Sequence, residues 1–181
     1  MSNPIQVLDK TFTLFIDAPT IQKRVREMGA DLEKDFSGQR PLFVVVLKGA
    51  YIFAADLLRA CPIEQEVAFV QLSSYAGTRS TGQVKQVLGL NQSITNRPVI
   101  IIEDIVDTGR TLSLFKQDVL AEGPASVHIA TLLYKPDAQQ FNLIPDYVGF
   151  SIPNHFVIGY GLDYDEEGRH LPAIYQLHHH D

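Results

Sequence analysis

Three short runs constrain most of what this chain can fold into: "LFVVVL" (42–47), "VIII" (99–102) and "SVHIATLLY" (126–134). The first two are unbroken and β-branched, and the third is nearly so. A strand with one wet face alternates apolar and polar residues, because successive side chains point to opposite sides. An unbroken run has two dry faces, the condition of a strand inside a parallel sheet covered by helices. Helical patterns lie between these runs. From Thr20 to Phe36, the residues Ile21, Val25, Met28, Leu32 and Phe36 recur at steps of three and four. Asp17 or Thr20 is placed to cap that helix and Gly38 to stop it. "GAYIFAADLLRAC" reads as a second helix. "TLSLFKQDVLAEG" reads as a third, with Leu112, Phe115 and Val119 on one face and Gly123-Pro124 closing it. "VAFVQLSS" is a further strand, and "YVGFSI" and "FVIGYGL" are short late ones. Strands alternating with helices predict βαβ units and an α/β fold around a parallel-rich sheet.

The chain has 181 residues, 45% of them apolar, which predicts a single domain with a sizeable core. Its formal net charge of −6 argues against nucleic-acid or membrane-surface partners, since both need a basic footprint. No apolar run approaches the ~20 residues of a membrane span. "MSNPIQVLDK" lacks the basic and apolar regions of a signal peptide, so a soluble cytoplasmic protein is expected. The lone Cys61 has no disulfide partner and is expected to be a buried or half-buried thiol. His128, inside a strand, reads as a satisfied structural residue. His178–His180 cannot close a metal site by themselves.

Open parallel sheets bind ligands beyond the carboxyl ends of their strands. The residues at those ends are Lys48-Gly49, Ser73-Ser74, Glu103-Asp104 and Lys135. The run "VIII" opens "VIIIEDIVDTGRTL" (99–112), where acids precede a turn suited to an anion. Standard phosphate motifs are absent. Gly77 and Gly82 have P-loop spacing, but Gln83-Val84 follow where Lys and Ser/Thr are needed, and Gly159-x-Gly161 lacks a third glycine. The turn Asp107-Thr108-Gly109-Arg110-Thr111 is therefore judged on its own chemistry. It joins a strand to a helix start, where the first N–H groups lack partners and the dipole favours an anion. Gly109 permits close backbone approach, and the threonine hydroxyls add donors. A plain helix cap by Asp107 or Thr108 is the simpler reading. A cap accounts for one residue, but not for Glu103-Asp104 just before it. Two carboxylates at that distance suit the diol of a ribose. Together these features predict a phosphorylated sugar as ligand.

These residues resemble the phosphoribosyl-pyrophosphate (PRPP) motif of the type I purine phosphoribosyltransferases, most closely the hypoxanthine-guanine enzymes. The resemblance covers roughly residues 40 to 175. "VVVLKGAYIFAADLL", "SSYAGTRSTGQVK" and "FVIGYGLDYDEEGRHLP" are similar to family segments in the same order. The last is the most specific, because it separates 6-oxopurine enzymes from those for orotate, uracil and adenine. The resemblance implies a type I phosphoribosyltransferase fold, residues 1–181, with a small hood from about 1–18 and about 150–181 and a mobile lid over about 73–85. It implies Mg2+-dependent transfer of phosphoribosyl from PRPP to a 6-oxopurine, and a homodimer or homotetramer.

It also implies roles. Glu103 and Asp104 would hold the ribose hydroxyls, and Asp107 would be the general acid/base at purine N7. Thr108, Gly109, Arg110 and Thr111 would bind the 5-phosphate. Lys48-Gly49, through a peptide that is cis in the family, and Arg169 would meet pyrophosphate. Lys135 would hydrogen-bond the purine, Phe156 would stack on it, and Val157 would offer backbone groups to its edge. Asp163, beside the purine site, would bind Mg2+ together with Glu103 and Asp104. Ser74 and Tyr75 would head the lid. Arg110 stands where many relatives carry Lys, and the two differ in phosphate geometry. Without the resemblance, Lys135 reads equally as a strand-end lysine, Phe156 as core, and Asp163 and Arg169 as a solvated charge run. Two alternatives remain open: a xanthine- or pyrimidine-specific transferase, and a PRPP-sensing regulator on the same fold.

Overall fold

The structure, a computed structural model, describes residues 3–73, 85–88 and 93–178. Its elements in chain order are β1 (Ile5–Val7), β2 (Lys10–Ile16), α1 (Ala18–Phe36), β3 (Leu42–Leu47), α2 (Tyr51–Ala60), β4 (Glu66–Ser73) and β5 (Lys85–Leu88). There follow β6 (Pro98–Val106), α3 (Arg110–Ala121), β7 (Ser126–Tyr134), β8 (Tyr147–Ser151), β9 (Val157–Ile158) and β10 (Ile174–Leu177). Six strands form one sheet in the order β5-β4-β3-β6-β7-β8, parallel except for the β4–β5 pair. A second, antiparallel sheet has the order β1-β2-β10-β9 and draws on both ends of the chain.

The unbroken strands are dry on both faces, as expected. Within β3, Phe43 and Val45 pack with Ile21, Val25 and Met28 of α1 and Phe53 and Leu57 of α2. Leu42, Val44 and Val46 point the other way, into a cluster with Leu112, Phe115 and Val119 of α3. Each such side chain contributes about 1.5–3 kcal/mol by leaving water. Asp17 caps α1, its Oδ1 accepting from the Thr20 N–H at 2.8 Å, and Gly38 follows the helix at φ 77°. Arg24 of α1 reaches the open edge of the sheet, donating to the carbonyls of Val148 (2.8 Å) and Gly149 (3.1 Å). That side chain blunts the unpaired edge of β8.

Two expectations are corrected. Glu103 and Asp104 do not follow a strand ending at residue 102; they lie inside β6, whose ladder with β7 runs on to the pair Val106↔Tyr134. Strand pairing is a backbone matter, and the equally long β7 keeps offering partners past the last isoleucine. The run "FVIGYGL" yields only Val157–Ile158 as strand, because Gly159 (φ 99°), Tyr160 (φ 51°) and Gly161 (φ 104°) leave extended geometry. Strands β1, β2, β5 and β10 were not foreseen. They are short, or they pair across most of the chain's length.

The five parallel strands lie in the order β4-β3-β6-β7-β8, so the first strand in sequence sits second in space. The order in which successive strands are added reverses between β3 and β6, which is where sheets of this kind leave a crevice for ligands.

Candidate active site

The turn after β6 forms one wall of a cavity of about 140 Å3, lined by Glu103 and by residues 105–112. Gly109 precedes α3 in left-handed backbone (φ 79°), and the Thr108 hydroxyl just before it accepts from the Arg110 N–H at 3.4 Å. Thr108 therefore partly caps the helix start, while Asp107 turns to Lys135 instead. The first turn of α3 carries no acidic residue, so its leading N–H groups keep their positive potential for a bound anion. The connection after β7 holds the turn from behind. Lys135 N donates to Val106 O (3.0 Å), Gln140 N donates to Thr108 O (3.1 Å), and the Gln139 amide donates to Asp107 O. A Cβ on Gly109 would meet Gln139 Oε1 at 2.8 Å and Leu143 Cβ at 3.1 Å, so only glycine fits there without displacement.

Lys135 directly follows β7, and its side chain is only 8% exposed. A buried ammonium needs a partner. It has Asp107, with Nζ 3.3 Å from Oδ2. Asp107 is half-exposed, so this pair is anchored in the protein at the lysine end and open to the site at the acid end.

Glu103 and Asp104 interact as a pair. The Asp104 N–H donates to Glu103 Oε1 at 3.1 Å, and the Ile105 N–H donates to Asp104 Oδ1 at 2.9 Å. Burial, and then the charge of Asp104, push the Glu103 carboxyl well above the usual range. Burial also raises Asp104, against hydrogen bonds and the charge of Arg169, which lower it. Two carboxylates in such a place await a cation or hydroxyl donors. The Leu47–Lys48 peptide is cis. Gly49 presses on the Asp104 carboxylate so closely that a Cβ would collide with it, and a Cβ on Gly161 would collide with Gly49 O.

The loop from 159 to 171 supplies the remaining groups. Arg169 Nη1 donates to Gly161 O (2.9 Å), and its Nη2 pairs with Asp163 Oδ1 (3.0 Å) and Glu166 Oε2 (3.1 Å). Lys48 Nζ reaches Glu166 Oε1 at 3.0 Å. Phe156 precedes β9 and is 43% exposed, with Tyr164 edge-on at 5.8 Å and 88° and Phe12 at 6.2 Å. Val157 is buried in β9, an edge strand of the small sheet. Ser74 and Tyr75, and most of the expected lid, lie outside the described residues.

The candidate residues therefore gather into four groups: the turn with Glu103, the Asp107–Lys135 pair, Gly49, Asp104, Asp163 and Arg169 with Lys48, and Phe156 with Val157 at the edge of the small sheet. Sequence reasoning missed Gln139, Glu166 and Gly161. Gln139 carries no motif, and Glu166 hid in an acidic run. Gly161 sits in a Gly-x-Gly pair that reads in sequence only as an incomplete dinucleotide motif. Among the described residues, no three His, Cys, Asp or Glu side chains cluster as metal ligands, and no helix is long and apolar enough to cross a membrane.

A parallel sheet in this order, with an anion turn, paired acids and a lysine–aspartate pair along one edge, defines a transferase-type site for a phosphorylated sugar. Residues 15–165 match the phosphoribosyl transferase domain, and the chain belongs to that family. It is 42% identical to the hypoxanthine-guanine phosphoribosyltransferase of Mycobacterium bovis, over 91% of this chain and 88% of that protein. It is 44% identical to the bifunctional protein TilS/HprT of Listeria monocytogenes, over 89% of this chain but only 25% of that protein's length. A crystal structure of a hypoxanthine phosphoribosyltransferase from Staphylococcus aureus superposes with a TM-score of 0.88 at 40% identity, covering 92% of this chain and 91% of that one.

Proposed function

We propose that this chain transfers the 5-phosphoribosyl group of PRPP to a 6-oxopurine, hypoxanthine and/or guanine, releasing the nucleoside monophosphate and pyrophosphate in purine salvage. The observation that carries the reading is the buried Lys135 held against Asp107 at the mouth of the phosphate turn. A phosphate turn alone would suit many sugar phosphates. A half-exposed carboxylate with a buried ammonium behind it is what a purine ring needs for proton transfer at N7 and a donor at O6.

In this reading Thr108, Gly109, Arg110 and Thr111 seat the 5-phosphate, with the leading N–H groups of α3 as donors. Glu103 and Asp104 hold the ribose hydroxyls and so fix the anomeric carbon. Phe156 gives the base a stacking face, and the edge strand at Val157 offers backbone groups to its rim. Asp107 takes or returns the N7 proton, worth roughly 10²–10⁴ in rate. Lys48 and Arg169 receive the departing pyrophosphate. Asp163, Glu103 and Asp104 supply only carboxylate oxygens, which suits Mg2+, an ion that binds through one or two carboxylates plus substrate phosphates and water. When bound, Mg2+ would neutralise charge on the leaving group. The small sheet forms the hood, and keeping water from the ribosyl cation falls to the lid expected at about 73–85, most of it outside the described residues. We further propose a cytoplasmic homodimer or homotetramer without nucleic-acid or membrane partners.

The test is a PRPP-dependent assay across hypoxanthine, guanine, xanthine, adenine and uracil, with EDTA and Mg2+ add-back. Turnover is expected with hypoxanthine or guanine, lost on chelation and restored by Mg2+. Turnover with xanthine or uracil alone moves the assignment to a different base, and none with any base ends the transferase reading.

A further inference from the structure

We propose that Glu166 is a built-in competitor for the pyrophosphate subsite: its carboxylate holds Lys48 and Arg169 and must release them when the anion arrives. The inference rests on the reading of those two cations given above.

The geometry is divided evenly. Oε1 of Glu166 takes Lys48 Nζ at 3.0 Å, and Oε2 takes Arg169 Nη2 at 3.1 Å. One cation comes from the β3–α2 turn and the other from the far side of the 159–171 loop, so a single carboxylate bridges two segments. The backbone that presents it is unusual. Asp165 (φ 50°) and Glu166 (φ 67°) are consecutive non-glycine residues in left-handed conformation, which the Cβ of an L-residue disfavours. Asp163 steadies that turn, with Oδ2 accepting from Glu166 N at 2.8 Å while Oδ1 accepts from Arg169.

The Lys48 and Glu166 side chains are 56% and 64% exposed. A pair that open to water contributes little and is screened by salt. It behaves as a latch that a multiply charged anion opens. Such a latch would keep the cations from collecting stray anions, and it would help to expel product as the carboxylate returns. Neighbouring Glu167 carries the same charge, but it lines a separate cavity with Val7 and His170.

The experiment titrates the full-length protein and its Glu166→Gln, Glu166→Ala and Glu167→Gln variants with pyrophosphate and Mg2+ in a calorimeter, alongside PRPP turnover. Both Glu166 variants are expected to tighten pyrophosphate about three- to tenfold, the size of losing one exposed ion pair and one whose arginine is mostly buried. Glu167→Gln should change it less than about twofold. Equal shifts for the two positions would reduce the effect to net charge and overturn the proposal. Unchanged or weaker binding in both Glu166 variants would overturn it as well. If wild-type protein turns over PRPP and these variants bind as it does, only this inference fails. If wild type neither turns over PRPP nor binds pyrophosphate, the functional reading fails and takes this inference with it.

Discussion

The turn at 107–111 and the loop at 159–169 both deliver polar groups to one edge of the sheet, yet they keep their shapes by different means. The turn is short, follows directly from a buried strand, and is fixed by backbone carbonyls that accept from the β7–β8 connection. Its chemistry is contiguous in sequence. The loop is long, and left-handed residues at Gly159, Tyr160, Gly161, Asp165, Glu166 and Gly168 shape it. It is pinned by remote contacts: Gly161 on Gly49, Lys48 on Glu166, and Tyr160, whose hydroxyl donates to Asp56 at 2.6 Å. A rigid local turn suits a group that stays put through a reaction, such as a 5-phosphate. A loop held by displaceable ion pairs suits groups that arrive and leave.

The sharpest way to break this contrast is Asp107→Asn. The substitution keeps the shape and removes the proton acceptor, so kcat should fall by roughly 10²–10⁴ with PRPP affinity nearly intact. Full turnover in the variant would show that the turn only binds. Next, Lys135→Ala should raise the KM for purine about tenfold or more and that for PRPP much less, since a charge-assisted hydrogen bond is worth about 1.5–3 kcal/mol. The opposite ranking would assign the buried lysine to the sugar side of the site. Phe156→Leu should raise purine KM about two- to twelvefold, the worth of one aromatic contact of about 0.5–1.5 kcal/mol, with PRPP unaffected. A larger effect on PRPP would mean that the ring braces the small sheet through Phe12 and Tyr164 instead.

The smallest expected effect lies in the core and serves as a control on both regions. Cys61 is fully buried, and burial, followed by the charge of Glu33, pushes its thiol up to about 11. The folded state therefore prefers the protonated form. Its contribution to stability is whole below the unfolded thiol value, about 8.5, and is lost as pH rises through about 11. Iodoacetamide at pH 8 should leave the native thiol unmodified and leave turnover unchanged. Rapid alkylation without unfolding would show that the α1–α2 side of the core is looser than its burial indicates.

The same contrast explains what was legible beforehand. Strand β3, helix α1 and the phosphate turn each write their environment into adjacent residues, through unbroken branching, a three-to-four spacing, or a Thr-Gly-Arg-Thr string. The small sheet was not legible strand by strand. Its Tyr175↔Leu14 and Gln176↔Thr13 pairs join opposite ends of the chain, and "IYQL" is too short to carry a period. Glu103 and Asp104 read as a pair in the sequence, but their polarity suggests a strand end where the ladder with β7 continues. Residues 74–84 lie outside the described residues, so the lid stays an expectation of the sequence.

The amino-acid order by itself determined a parallel sheet with two dry faces, and it determined that a turn suited to an anion opens the helix after the third parallel strand. Both follow from interactions between near neighbours: side-chain alternation in a strand and unpaired N–H groups at a helix start. Only the tertiary structure decided that Lys135 is buried against Asp107, that Gly161 presses on Gly49, and that Glu166 sits between Lys48 and Arg169. Those contacts depend on how distant segments dock, and no local spacing encodes the distance between them.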